Sequence, residues 1–405
     1  MNISSISILC ITLSLFGYEV IAAFSTIAGV VSTPYAIAMR GFVVFTSLVV
    51  IVYNASKSCE KLKNNTLALG LFLFWVLYLF RILHATAFST EELAYNWTYY
   101  WIWSVGACLV PITAILLMEI SAQQFVKFFK CSYLILMVCG LAATFKGSGL
   151  ELDGDGELAE KGRLVVAALN PISMGQLGAS ILILSIWALC FKFQQIFFAI
   201  KLLLLINIAI GAYLIVGSNS RGPLLSALTC MLYMILFSSR KIKIYITTIL
   251  GIFIIIFPII ALYVEDNYGF STYSRIVGEN QIESESTTNR LDRYYSVWSD
   301  FVQNPLFGSG LEEPIFGGYP HNIFVEGYMS TGIIGGTLLT MIMLLTTIHS
   351  IKIYKHNAAY SWISLIFVQY ITSAQFSGAI YASTHLWITV TLIITIRKIF
   401  KKIEA

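Results

Sequence analysis

The chain has 405 residues, 58% of them hydrophobic and 11% charged, with a mean hydropathy of +0.80 and a net charge of +4. No ordinary water-soluble domain of this length sustains such apolarity, and the basic residues are scattered over short segments instead of forming a face, which excludes a soluble enzyme and a nucleic-acid binder. The composition predicts an all-α polytopic membrane protein, a single integral domain over residues 1–405.

Apolar stretches of about 20 residues, enough to cross a bilayer as a helix, recur at roughly 5–27, 34–53, 66–84, 97–118, 130–147, 168–190, 196–216, 222–239, 243–264, 327–350, 358–377 and 382–399, or about twelve spans. The first has no positive leading segment and carries Glu19 inside it, so it reads as a retained helix and not as a cleaved signal peptide. Seven cysteines (Cys10, Cys59, Cys108, Cys131, Cys139, Cys190, Cys230) form neither a disulfide framework nor a metal-ligand spacing.

Lysine sets the expected orientation. Lys57, Lys61, Lys63, Lys127, Lys130, Lys192, Lys241, Lys243, Lys352, Lys355 and the final Lys398, Lys401 and Lys402 all fall after even-numbered spans or at the C-terminus. The positive-inside rule then puts both termini in the cytosol and the odd loops outside. Only Lys146 and Lys161 fall outside, whereas Arg40, Arg81, Arg163, Arg221, Arg275, Arg290 and Arg293 all lie on or near that side. Arginine is permanently charged and forks onto two oxygens at once, which suits phosphate recognition at headgroup depth; pairing with carboxylates or snorkelling is the plainer use of any one of them.

Two outward loops are long. Residues 147–166 are acidic and turn-rich, a solvated surface loop without EF-hand spacing. Residues 265–326, between spans nine and ten, form the one large extramembrane unit; its acidic residues outnumber Arg275, Arg290 and Arg293, so any anion there is bound by individual geometry and not by a general basic field.

Three segments carry candidate chemistry, in chain order. "SNSRGP", residues 218–223, is a polar turn that puts Arg221 just before Gly222-Pro223 opens span eight, where helix-terminal amides and a guanidinium can face an anion. "TTNRLDRYYSVWSDFVQNPLFGSG", residues 287–310, spaces Leu291, Tyr294, Tyr295, Trp298, Phe301 and Val302 as an amphipathic surface helix ended by Asn304-Pro305, with Arg290 in its first turn and Arg293 one turn on. "GGYPHNIFVEGYMSTGIIGG", residues 317–336, puts His321 after a Tyr319-Pro320 turn at the entrance to span ten, with Asn322 placed to cap the helix. A histidine there is a candidate proton acceptor at neutral pH. Glu326 is a secondary candidate, five residues on and off the same helix face.

Together, Ser220-Arg221-Gly222-Pro223, an arginine upstream of a tryptophan and "NPLFGSG", and "PHNIFVEGYMSTGIIG" resemble the O-antigen ligase and O-antigen polymerase superfamily, over roughly residues 210–340. The resemblance implies a metal-independent glycosyltransferase of the bacterial cytoplasmic (inner) membrane, with its active site facing the periplasm and no cofactor. Its donor would be a polyprenyl (undecaprenyl) diphosphate-linked oligosaccharide, its acceptor another glycan, with membrane lipid and a chain-length regulator protein as further partners. Carried over residue by residue, the catalytic set is Arg221, Arg290 and His321, with Arg293 as the rival second arginine. Arg221, Arg290, Arg293, Tyr319 and Asn322 are the candidate substrate contacts. Only 30 residues separate Arg290 from His321, a short stretch that favours a polymerase over a ligase acting on lipid A core. A secondary transporter is the rival class; it predicts internal symmetry and mid-membrane charge, and most charges here sit at span ends.

Overall fold

A computed structural model describes residues 3–63, 65–89, 93–146, 169–192, 197–268, 281–315 and 317–404. The acidic loop expected at 147–166, with Lys161 and Arg163, lies outside these residues, as does Arg275. The six described cysteines are free.

The chain is all-helical and polytopic, and each apolar stretch of the sequence falls on a described helix. In order these are α1 (Ile3–Ala28), α2 (Thr33–Lys63), α3 (Thr66–Ala87), α4 (Trp97–Leu117), α5 (Ala122–Lys146), α6 (Pro171–Lys192), α7 (Phe198–Gly217), α8 (Arg221–Phe237), α9 (Arg240–Tyr268), α10 (Gln281–Gln303), α11 (Ile323–His356), α12 (Ser361–Ser373) and α13 (Thr384–Glu404). Among the described residues, nine helices are long and apolar enough to cross a membrane: α1 to α7, α9 and α11. Helices α8 and α13 hold shorter apolar stretches, and the 13 residues of α12 reach only about 20 Å, against a hydrocarbon core of about 30 Å.

The middle of the bundle is α6 against α12, and polar side chains in an apolar setting knit them together. Gln369 Nε2 donates to Gln176 Oε1 at 2.9 Å and to the Gln176 carbonyl at 2.8 Å, Ser180 donates to Gln369 Oε1 at 3.0 Å, and Trp187 Nε1 donates to Ser361 at 2.8 Å. Such pairs satisfy groups that lipid would leave bare, which is why Gln and Ser occur inside these spans. The outside is apolar: Ile252, Ile255 and Ile259 of α9 and Phe45 and Val52 of α2 are exposed, as expected where the surrounding solvent is lipid.

Helices alternate in direction, so their ends fall into two sets. Lys146 at the end of α5 donates to the Ile27 carbonyl at the end of α1, and Gln176 near the start of α6 donates to Ser373 at the end of α12. His321 and the start of α11 belong to this set, because Ile323 N donates to the Ala374 carbonyl just beyond α12. At the opposite set, Ser238 meets the Tyr354 hydroxyl at 2.8 Å and Lys355 lies over the Phe237 ring. Lys127, Lys130, Lys241, Lys243, Lys352 and Lys355 all sit near that opposite set of ends.

Candidate active site

The entry to α11 positions His321. Asn322 is the N-cap: its Oδ1 accepts from Phe324 N at 2.9 Å and Val325 N at 3.2 Å, filling two of the amides that a helix start leaves open. Its Nδ2 is 3.5 Å from the Gln375 carbonyl, so this side chain is spent on orienting the entry. His321 itself takes a left-handed conformation, φ 61°, uncommon outside glycine. Its ring meets the Tyr319 ring edge-to-face at 4.6 Å, and its Nδ1 is buried with no hydrogen-bond partner among the described residues.

Two arginines of α10 bear on that ring. Burial, then Arg290, then Arg293 push the His321 imidazole down to about 4, so it stays neutral through the physiological range. Arg293 is held by the protein, donating from Nη1 to the Gly317 carbonyl at 2.8 Å and lying 3.9 Å from the Glu313 carboxylate. Arg290 is half-buried, and none of the described residues holds it. Of the two arginines, Arg293 is therefore the one that described residues hold.

Helix α10 starts at Gln281, earlier than the sequence predicts. Arg290 is thus not in a first turn, and it draws nothing from helix-terminal amides. The run Gln281-Ile282-Glu283 upstream contains ordinary helix formers, and Thr287-Thr288-Asn289 does not stop the helix because a cap residue acts only where the backbone leaves helical angles. The aromatic stripe divides: Leu291, Tyr295, Trp298 and Val302 are exposed, while Phe301 packs edge-to-face on Tyr328 of α11.

Arg221 reaches the same end of the bundle by another route. It is the first residue of α8, behind the turn Ser218-Asn219-Ser220 in which Asn219 is left-handed at φ 48°; Pro223 is the third helical residue and not the first. The Arg221 side chain is exposed. One turn on, Ser226 accepts from Gln176 Nε2, which also donates to Ser373, next to the Ala374 carbonyl that receives Ile323 N. The charges that bear on His321 are those of Arg290 and Arg293, not that of Arg221.

The "NPLFGSG" turn is clasped onto a break in α11. At Gly332 the helix takes φ 65° and ψ −165°, angles open essentially to glycine alone. The groups freed there are taken by the turn: Ser309 N donates to Met329 O at 2.9 Å and Ile333 N to Pro305 O at 2.8 Å. Arg81 of α3 completes the clasp, its Nε donating to Ser330 O at 2.7 Å and its Nη2 to Phe307 O at 2.6 Å and Gly308 O at 2.9 Å. Arg81, grouped by sequence with the outward anion-binding candidates, is a backbone clamp. Arg81→Lys is expected to lower stability by about 2 kcal/mol, since one ammonium cannot span three carbonyls, and a lower melting temperature in detergent checks it. Arg40 has a plainer use too, lying 4.1 Å over the Trp103 ring.

Glu326 is fully buried and accepts from the Tyr78 hydroxyl at 2.8 Å and from Ile380 N at 2.8 Å, tying α3 and the 374–383 segment to the first turn of α11. Its place is bracing this corner. No motif beside His385 points to a partner, and the ring lies 3.1 Å from Glu19. The one available signal was a carboxylate inside an apolar span, and its partner is 366 residues away along the chain.

Residues 206–340 match a family model described as O-antigen ligase. No curated protein matches the chain. The matched segment contains Arg221, Arg290, Arg293, the clasped turn and His321. Residues 206–340, a third of this polytopic chain, are therefore similar to the O-antigen ligase family, and the similarity falls on the segment that carries the candidate site.

Proposed function

We propose that this protein is an O-antigen polymerase, moving a growing glycan from polyprenyl diphosphate to a hydroxyl of another lipid-linked repeat unit at the periplasmic face of the bacterial cytoplasmic membrane. The observation that carries this reading is the neutral, half-buried His321, beside an arginine that no described residue holds. The gathering of lysines at the opposite helix ends supports cytosolic termini and an outward-facing site.

In the step, the acceptor oxygen attacks the anomeric carbon, the bond from that carbon to the diphosphate oxygen breaks, and the electron pair leaves on the diphosphate. The hydroxyl proton passes to the neutral His321 imidazole. One displacement inverts the anomeric centre. Arg290 and Arg221 stabilise the charge that grows on the departing diphosphate, a contribution larger in the transition state than in the ground state. Arg293, already bound to Gly317 and Glu313, adds its field from behind and holds the loop.

Arg221→Ala and Arg290→Ala are each expected to lower transfer by about 10²–10³-fold with membrane expression retained, the loss typical of one charge-stabilising donor. Lipopolysaccharide banding in a deletion strain, with polyprenyl-linked intermediates analysed in parallel, checks both. Core carrying a single repeat unit in either mutant supports a polymerase. Bare core with long glycan still on its carrier identifies a ligase, and an unchanged ladder removes that arginine from the site.

A further inference from the structure

Beside His321, the 374–383 segment, α1, α6 and α13 enclose a cavity of about 380 Å³, and Tyr319 belongs both to its lining and to the packing around the His321 ring. Glu19 lines the cavity nine residues before the end of α1, about 13 Å down the helix axis. Its wall includes the non-helical stretch Ala374–Ser383, which replaces the missing ends of α12 and α13. Irregular backbone at membrane depth is tolerated when buried in protein or lining a wet cavity, and Glu326 pins this stretch through Ile380 N.

The chemistry of the wall is specific. Glu19 is buried, and its Oε1 is 3.1 Å from His385 Nε2, while its Oε2 is buried with no hydrogen-bond partner among the described residues. The His385 ring is fixed by stacking on Tyr370, with centroids 4.3 Å apart and planes 12° from parallel. Tyr99, Tyr319 and Tyr381 supply further aromatic faces. A carboxylate in this position repels a diphosphate, and neither Arg221 nor Arg290 lines the cavity. A buried carboxylate oxygen that lacks a partner, in a wall of tyrosine rings, instead matches a hydroxyl-rich sugar, which donates hydrogen bonds and lays its C–H face on aromatic rings. The volume is near the lower end of ligand pockets, about 300–1,000 Å³, so it fits the tip of a glycan and not its length.

We propose that this cavity seats the terminal sugar of the acceptor glycan, with Glu19 Oε2 accepting one of its hydroxyl groups and the His385 contact fixing the carboxylate. This rests on reading His321 as a glycosyl-transfer centre: a sugar held here presents its remaining hydroxyls past Tyr319 towards that ring. Glu19 and His385 are then specificity determinants for the acceptor, from helices outside the matched segment.

The test is direct binding to the full-length protein in nanodiscs. Two probes are used: oligosaccharide released by mild acid from the host's lipid-linked repeat unit, and core oligosaccharide released from its lipopolysaccharide. One of them is expected to bind the wild type, the first marking a polymerase and the second a ligase. Glu19→Gln, close in size, and Ser173→Phe, which fills the cavity from α6, are each expected to weaken that binding at least about tenfold, the loss of one hydrogen bond to a charged acceptor. Polyprenyl diphosphate without sugar is expected to bind both variants as it binds wild type. Sugar binding unchanged in both variants overturns the proposal, as does a wild type that binds polyprenyl diphosphate but neither oligosaccharide. Polyprenyl diphosphate binding that is unaltered by Arg290→Ala would instead sink the transfer-site reading, whatever the sugars do.

Discussion

His321→Ala is expected to reduce glycan transfer by about 10²–10⁴-fold, the range for loss of a general base, while the protein still reaches the membrane. The variant removes the ring but leaves the Asn322 cap that starts α11, and alanine relieves none of the positive φ at that position, so a modest stability change accompanies a large catalytic one. Transfer measured with purified protein and lipid-linked donor, beside its thermal unfolding, separates the two. Activity within a few-fold of wild type would remove His321 from the chemistry.

The pH profile adds a sharper form of the same expectation. Burial, with Arg290 and Arg293 behind it, brings His321 from its ordinary 6.5 to about 4. A lowered value means the neutral, proton-accepting form persists as pH falls, so the acid limb of kcat/KM is expected near pH 4 and not near 6.5. A bound diphosphate partly neutralises the arginines and leaves their opposition to imidazolium weaker. The acid limb of kcat, which reports the loaded enzyme, is therefore expected at higher pH than that of kcat/KM. Coincident limbs near 6.5 would mean that an unperturbed group controls the rate.

Gly332→Ala and Gly308→Ala are each expected to cost on the order of 4 kcal/mol, at the upper end of single-substitution effects. A Cβ on Gly332 would lie 2.2 Å from Leu306 O and 2.4 Å from Leu306 C, and one on Gly308 would lie 2.2 Å from Met329 O. These are backbone atoms, held by hydrogen bonds on both sides of the clasp, and cannot move aside as a side chain would. Both glycines also have positive φ, 65° and 80°. The loss is measured as a fall in folded yield and melting temperature in detergent. Gly251→Ala in α9 is the control: nothing lies within 4 Å of its Cβ position, and alanine favours a helix, so stability is expected to hold or rise. Equal behaviour of all three variants would show that the clasp contributes little.

Much of the fold was legible because the bilayer limits the options to lengths of apolar helix, and length and hydropathy are local properties of the chain. The three candidate segments were legible for a related reason: each is a short local device, a polar turn before α8, a surface helix ending at Pro305, and a cap before α11. The start of α10 was misplaced because Thr and Asn are compatible with both a cap and a helix interior, and only backbone geometry decides between them.

By itself, then, the sequence determined an all-helical membrane protein with arginines and a histidine grouped in residues 206–340, the segment that also carries the family match. Tertiary structure alone decided which of the arginines expected on the outward side have other work. Arg81 and Arg293 look alike in sequence to Arg290, and only the carbonyls of Phe307, Gly308, Ser330 and Gly317 brought against them show that they brace loops. It also decided the meeting of Glu19 with His385 and of Glu326 with Tyr78 and Ile380. The physical reason is range: helix formation and capping act over a few residues, whereas a buried polar atom must find a partner wherever packing provides one, and for Glu326 and Glu19 those partners are 54 to 366 residues away.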